Sequence, residues 1–185
     1  MRLLIENRDK ELSISQIAHL LKKDYKNAHN MVSRLSKIPV VGIQPFGRSH
    51  RVVLIQKMHP IIFEAEFLRR AELLKNKDLA IMLDSFSKLR TKMHVLLVFG
   101  SYAKGTQTKK SDIDLLFVVP DDSEERLQKE IQNIARTLPL PLHINIFKET
   151  DFIAMKDSKK ITVGSEAMKK NIILQGIEPY YELIQ

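Results

Sequence analysis

Apolar residues recur at helical spacing early in the chain, at Ile14, Ile17, Ala18, Leu20 and Leu21, and again at Ala28, Met31, Val32 and Leu35. The two stripes predict two amphipathic helices. Ser13 is positioned to cap the first, with Gln16 completing a capping box, and Asp24 to cap the second. After Pro39 the period shortens: Val40, Val41 and Ile43, then Val52 to Ile55, flank Pro45-Phe46-Gly47-Arg48, which predicts a hairpin. From Ile61 to about Lys92 there is no Gly or Pro, and Phe63, Phe67, Leu68, Ala71 and Leu74 form one stripe. Leu79, Met82, Leu83 and Phe86 form another, with Asn76-Lys77-Asp78 as the break and Asp78 as the expected cap. Beyond it lie a buried-strand run from His94 to Phe99, a second from Leu115 to Val119, a helix from Glu124 to Leu138, and a later strand around His143 to Phe147.

Charge changes the picture of the first third. Of a net +8, the stretch up to Pro60 carries 11 Lys/Arg against 4 Asp/Glu, and the remainder is nearly balanced. Lys26, Asn30, Ser33, Arg34 and Lys37 fall together on the face of the second helix away from its apolar stripe, and the hairpin carries Arg48, His50 and Arg51. Such a face can set Asn and Arg against base edges and Lys against phosphates. A solvated face, or a module that only mediates dimerisation, has the same composition. The close helix pair followed by a basic hairpin resembles the winged helix-turn-helix of many prokaryotic transcription regulators, over roughly the first 57 residues. That resemblance implies DNA binding, and paired half-sites would suit a homodimer. His50 reads as a surface or phosphate-contacting residue, since His19 and His29 sit on separate helices.

Composition excludes several classes. The chain has 185 residues and no cysteine, so disulfides, thiolate zinc sites and a Cys nucleophile are out. No apolar run is long enough to span a bilayer, and Arg2 is followed by only three apolar residues before Glu6, unlike a signal peptide. A cytoplasmic protein with no membrane partner is expected.

The chemistry concentrates after the run ending at Phe99. There Gly100-Ser101-Tyr102-Ala103-Lys104-Gly105 is followed, six residues on, by Asp112-Ile113-Asp114. Gly100 permits a tight turn and close approach of backbone N–H groups to a phosphate, and Ser101 adds a hydroxyl. Asp112 and Asp114, two apart on a strand, project from one face while Ile113 points to the other. Two hard oxygen donors suit Mg²⁺ already bound to triphosphate oxygens. Gly-Ser, ten residues, then Asp-x-Asp resembles the signature of the DNA polymerase β-type nucleotidyltransferases, especially their minimal members. The filler Tyr102 to Gly105 and the tail Ile172 to Tyr181 are similar as well, so the likeness spans about Asp78 to Gln185.

The resemblance implies Mg²⁺-dependent transfer of a nucleoside monophosphate from an NTP, ATP being the expected one, to an unidentified acceptor. Asp112 and Asp114 are then the catalytic metal ligands, and Gly100, Ser101 and Lys104 the nucleotide-binding residues. Lys109 and Lys110 either meet the triphosphate or belong to a solvated loop. The family's third carboxylate aligns with Asn145, which can coordinate a metal but cannot act as a base. His143 shares that strand face and could accept a proton; Glu149 and Asp151 lie just beyond. The domain therefore works with another base, binds nucleotide without transferring it, or is inactive. These alternatives correspond to an enzyme and to a DNA-binding regulator with a degenerate, nucleotide-sensing domain. A third reading is an antitoxin that nucleotidylates a HEPN-type toxin, as some minimal members do. The expected architecture is α/β (α+β): a winged helix-turn-helix over 1–58, a helical connector over 59–77, and a small mixed-sheet polymerase β-like nucleotidyltransferase domain over 78–185.

Overall fold

The structure, a computed structural model, describes residues 1–47, 49–55, 57–87, 89, 95–156 and 161–185. The chain divides into two compact units, Met1–Ala65 and Glu66–Gln185. Both mix helices with a small sheet, so the fold is α/β throughout.

The first unit begins with α1 (Arg2–Glu6), β1 (Leu12–Ser13), α2 (Ile14–Leu20) and α3 (Tyr25–Leu35). Ser13 caps α2 in a reciprocal box with Gln16, and Asp24 caps α3 by accepting from the Asn27 amide at 2.8 Å. Lys22 takes a left-handed φ of 52° in the turn between them. The hairpin β2 (Val41–Phe46) and β3 (Ser49–Leu54) follows, and the sheet order β1-β3-β2 is antiparallel throughout. The two-residue strand β1 escapes the sequence pattern: it is defined by its pairing of Leu12 with Val52 and Ser13 with Arg51. Ile14, Ile17, Ala18, Ala28 and Val32 are buried as the stripes require, but Leu20 and Met31 are exposed. The helices are short, and each buries a narrower face than its apolar content suggests.

Helix α4 (Pro60–Leu73) contains the boundary between the units. In its second half the expected stripe is not the buried one. Phe67 and Leu68 are exposed, whereas Glu66 and Arg69 are buried. The reason is a polar network in the C-terminal unit: Arg69 Nη1 pairs with Glu66 Oε2 at 2.5 Å, and its Nη2 donates to the Asn171 carbonyl at 2.5 Å. The Tyr181 hydroxyl donates to Glu66 Oε1 at 2.8 Å, and Asn171 Nδ2 donates to the Tyr180 hydroxyl at 2.8 Å. A buried charge is tolerable only with such partners.

The rest of the second unit runs α5 (Lys77–Ser87), β4 (Val95–Val98), α6 (Gly100–Lys104), β5 (Ile113–Val119), α7 (Glu124–Thr137), β6 (Leu142–Lys148), α8 (Glu149–Lys156), α9 (Val163–Lys169), β7 (Ile172–Gln175) and α10 (Ile177–Leu183). Asn76, not Asp78, caps α5, its Oδ1 accepting from the Asp78 and Leu79 amides. The sheet order is β6-β5-β4-β7, with β5 and β6 parallel and the other pairs antiparallel. The parallel pair needs the long return through α7. One sheet face (Leu96, Val98, Leu115, Phe117) packs on Leu79, Met82 and Phe86 of α5 and on Leu127 and Ile131 of α7. The opposite face (Leu97, Leu116, Val118) is equally buried. Burial on both faces explains why these strands read as continuous apolar runs rather than alternations. It also leaves the ends of β4 and β5 as the natural place for polar chemistry.

Candidate active site

Strand β4 ends at Val98, Phe99 stays extended, and Gly100 turns the chain into α6 with φ +63°. The Phe99 amide donates to the Asp114 carbonyl at 3.0 Å, pinning the end of β4 to the start of β5. Gly100 presses directly on Asp114. A Cβ built on Gly100 would lie 2.9 Å from Asp114 Cγ and closer still to Oδ2. Both the positive φ and the contact make any side chain here strained unless Asp114 shifts. The glycine thus sets how closely the turn approaches the carboxylate.

Ser101 follows on α6, which closes at Gly105 in a left-handed cap. The Thr106 amide returns to the Ser101 carbonyl at 3.0 Å. The loop to β5 then folds on itself: Ser111 Oγ accepts from the Thr108 amide at 2.9 Å, and the Ser111 amide donates to the Thr108 carbonyl at 3.1 Å. Asp112 emerges from this turn exposed, Ile113 is buried, and Asp114 is partly exposed. Strand β5 begins at Ile113, so Asp112 stands just before the strand rather than on it. Lys104, Lys109 and Lys110 are exposed around the same loop.

The parallel pairing of β5 with β6 decides what stands beside Asp114. Its partner is His143, whose Nδ1 lies 3.1 Å from Asp114 Oδ1. Asn145 stands two residues further along, opposite Leu116, and its Nδ2 donates to the Leu115 carbonyl at 3.4 Å. Glu149 and Asp151 belong to the first turn of α8. Among the described residues, no three His, Asp or Glu side chains are gathered into a metal cage. Carboxylates such as those of Asp112 and Asp114 are oxygen donors of the kind a hard divalent cation takes.

Beside the Gly-Ser turn lies a cleft of about 420 Å³, lined by Phe99, Gly100, Lys104, Thr162, Glu166 and Lys170 among others. The last three come from α9 and its flanks, where Thr162 forms a capping box with Ser165. Nothing in the sequence pattern marked them. They reach the turn only because the chain returns there after β6.

The pattern that joins this geometry to known proteins is that of the nucleotidyltransferase domain, which matches residues 79–171. The chain belongs to the nucleotidyltransferase domain family. Among solved structures it is similar to a chain described as "Crystal structure of the toxin-antitoxin with AMP-PNP", at 18% identity and a TM-score of 0.36. That similarity covers 58% of this chain and 78% of the other. No curated protein matches. The nucleotidyltransferase match contains Gly100, Ser101, Asp112, Asp114 and His143, and leaves the first unit outside it.

In that first unit, Lys26, Asn30, Ser33 and Arg34 are exposed on α3, opposite buried Ala28 and Val32; Lys37 is exposed just beyond the helix. Arg51 on β3 is already engaged, paired with Glu11 and stacked on Phe46 with its guanidinium carbon 3.3 Å from the ring centroid. Arg48 and His94 lie outside the described residues. Among the described residues no helix is long and apolar enough to cross a membrane.

Proposed function

We propose that the C-terminal unit transfers a nucleoside monophosphate from an NTP, ATP first among them, to an acceptor, supported by Mg²⁺. The observation that carries this reading is the close packing of Gly100 on Asp114 together with the Phe99–Asp114 backbone bond. It holds the Gly-Ser turn and a carboxylate in one fixed relation. In this reading Gly100, Ser101 and Lys104 receive the triphosphate, and Asp112 and Asp114 hold the cation. A bound divalent ion would neutralise charge on the phosphates and stabilise the leaving group. The acceptor's hydroxyl oxygen attacks the α-phosphorus and loses its proton to solvent, the bond to the bridging oxygen breaks, and pyrophosphate departs with the electron pair. What the protein supplies is positioning and electrostatics, which a small domain can provide.

We further propose that the N-terminal unit is a winged helix that binds DNA, as a dimer, through Lys26, Asn30, Ser33, Arg34 and Lys37, with the hairpin residues Arg48 and Arg51. The element order and the exposed polar face of α3 support it. Arg51 would have to exchange Glu11 for a phosphate.

The test is incubation of the chain with each α-labelled NTP and divalent cations, alone and with RNA, DNA or protein acceptors, a HEPN-type toxin included. Label transfer that disappears in Asp112→Ala/Asp114→Ala supports the proposal. Nucleotide-dependent DNA binding without any transfer would favour the regulator reading, which Asn145 and the basic N-terminal unit motivate.

A further inference from the structure

We infer that Phe46, at the end of the hairpin, is a wedge that enters a base step of duplex DNA once Arg51 has exchanged Glu11 for a phosphate. The inference rests on the proposed DNA-binding reading of the N-terminal unit and names how its hairpin meets the duplex. Phe46 is the last residue of β2, and Gly47 turns the chain directly after it with φ +56°. The register pairs Phe46 with Ser49 and Gln44 with Arg51, so these four residues share one face of the sheet. On the other face Val41 and Val52 are buried in the core. Phe46 thus has polar neighbours by register and is 54% exposed, and the core gains little from a phenyl in this place.

What the ring does hold is a cation. The Arg51 guanidinium carbon stands 3.3 Å from its centroid, and the same guanidinium pairs with Glu11. Both partners of that pair are partly exposed, and such a pair is held weakly enough for a polyanion to displace the carboxylate. With 11 Lys/Arg against 4 Asp/Glu up to Pro60, the unit attracts one. DNA then meets both groups: a phosphate replaces Glu11 on Arg51, and the phenyl beside it enters the base stack. Apolar side chains placed between base pairs unstack the step and kink the duplex. Pyrimidine–purine steps unstack most easily, so the wedge gives the hairpin a sequence preference without a hydrogen bond to any base edge.

The experiment titrates the full chain, at low salt, onto short duplexes in which 2-aminopurine replaces the adenine of a central TA or CA step. Dyes on the two ends report bending. The native chain should raise the 2-aminopurine fluorescence and shorten the end-to-end distance. Phe46→Ala should lose both, whereas Phe46→Leu, which keeps an apolar wedge, should retain most of the bend. Glu11→Gln should bind severalfold more tightly. Phe46 and Glu11 are exposed, so the variants should fold, which their unfolding temperatures check. Binding by anisotropy with no fluorescence rise, a rise that persists in Phe46→Ala, or unchanged affinity in Glu11→Gln overturns the inference while the DNA reading stands. Tighter binding to the single strand, abolished by Phe46→Ala, would make the ring a stacking platform and also overturn the wedge. No binding to any duplex overturns the DNA reading itself, and the wedge with it.

Discussion

In the C-terminal unit the candidate residues hold one another. Phe99 bonds to the Asp114 backbone, Gly100 leaves no room for an unstrained Cβ against the Asp114 carboxylate, and His143 meets that carboxylate from the next strand. In the N-terminal unit, Lys26, Asn30, Ser33 and Arg34 are exposed on α3, whereas Arg51 is paired with Glu11. A site built for group transfer needs its atoms placed before substrate arrives, because positioning is most of what it contributes. A surface that meets a polyanion needs net charge and reach, and loses little if one side chain moves. The first kind of site is therefore brittle to single substitutions, and the second is graded.

That contrast can be broken at several points. The largest effect is expected from Asp112→Ala/Asp114→Ala, which removes both carboxylates. Losing several kcal/mol of transition-state stabilisation should lower nucleotidyl transfer by on the order of a thousandfold or more, with little change in unfolding temperature. Next comes Gly100→Ala. The left-handed backbone alone should cost about 1–3 kcal/mol, and the displaced Asp114 should reduce transfer as well. Urea unfolding and a transfer assay read the two separately. Equal stability and activity in this variant would show that the turn is looser than its geometry implies.

In the N-terminal unit, Arg34→Ala should weaken DNA binding by about 1–3 kcal/mol if it reads a base, with some loss of sequence preference. Lys26→Ala should weaken all sequences alike and lower the salt slope by about one. Fluorescence anisotropy over a salt series distinguishes them; no change in either variant would leave α3 a merely solvated face. The smallest effect concerns Asp24. Its carboxyl is held below the usual carboxylate range by the Asn27 backbone N–H and then the Asn27 side chain. A depressed folded-state value means the contribution is complete above the ordinary carboxylate range and is lost as pH falls through the lowered value. Asp24→Ala should therefore lower the unfolding temperature slightly at neutral pH and converge with the native chain in acid.

Legibility in the sequence follows the same division. The Gly-Ser turn and Asp112-x-Asp114 were readable because backbone conformation and strand alternation leave few residue types possible there. The strands around them were readable because burial on both faces produces unbroken apolar runs. The identity of the residue beside Asp114 was not. Asn145 is the natural alignment by spacing, yet the neighbour is His143, 29 residues away, because the parallel pairing of β5 with β6 is a long-range contact that no local pattern encodes. The cleft residues Thr162, Glu166 and Lys170 were invisible for the same reason. The α4 stripe misled because Glu66 and Arg69 satisfy each other in the interior and leave Phe67 and Leu68 outside.

The central claim is that Gly100, Ser101, Asp112 and Asp114 form a working nucleotide site. Thermal unfolding of the full chain with each NTP, with and without a divalent cation, tests it most directly, beside Asp112→Ala/Asp114→Ala. A ligand that binds only the folded state adds about 2.7 kcal/mol at a hundred times its dissociation constant. A working site gives a rise in unfolding temperature that requires both NTP and cation and vanishes in the double variant. No rise with any nucleotide and cation, or an equal rise in the variant, would contradict it.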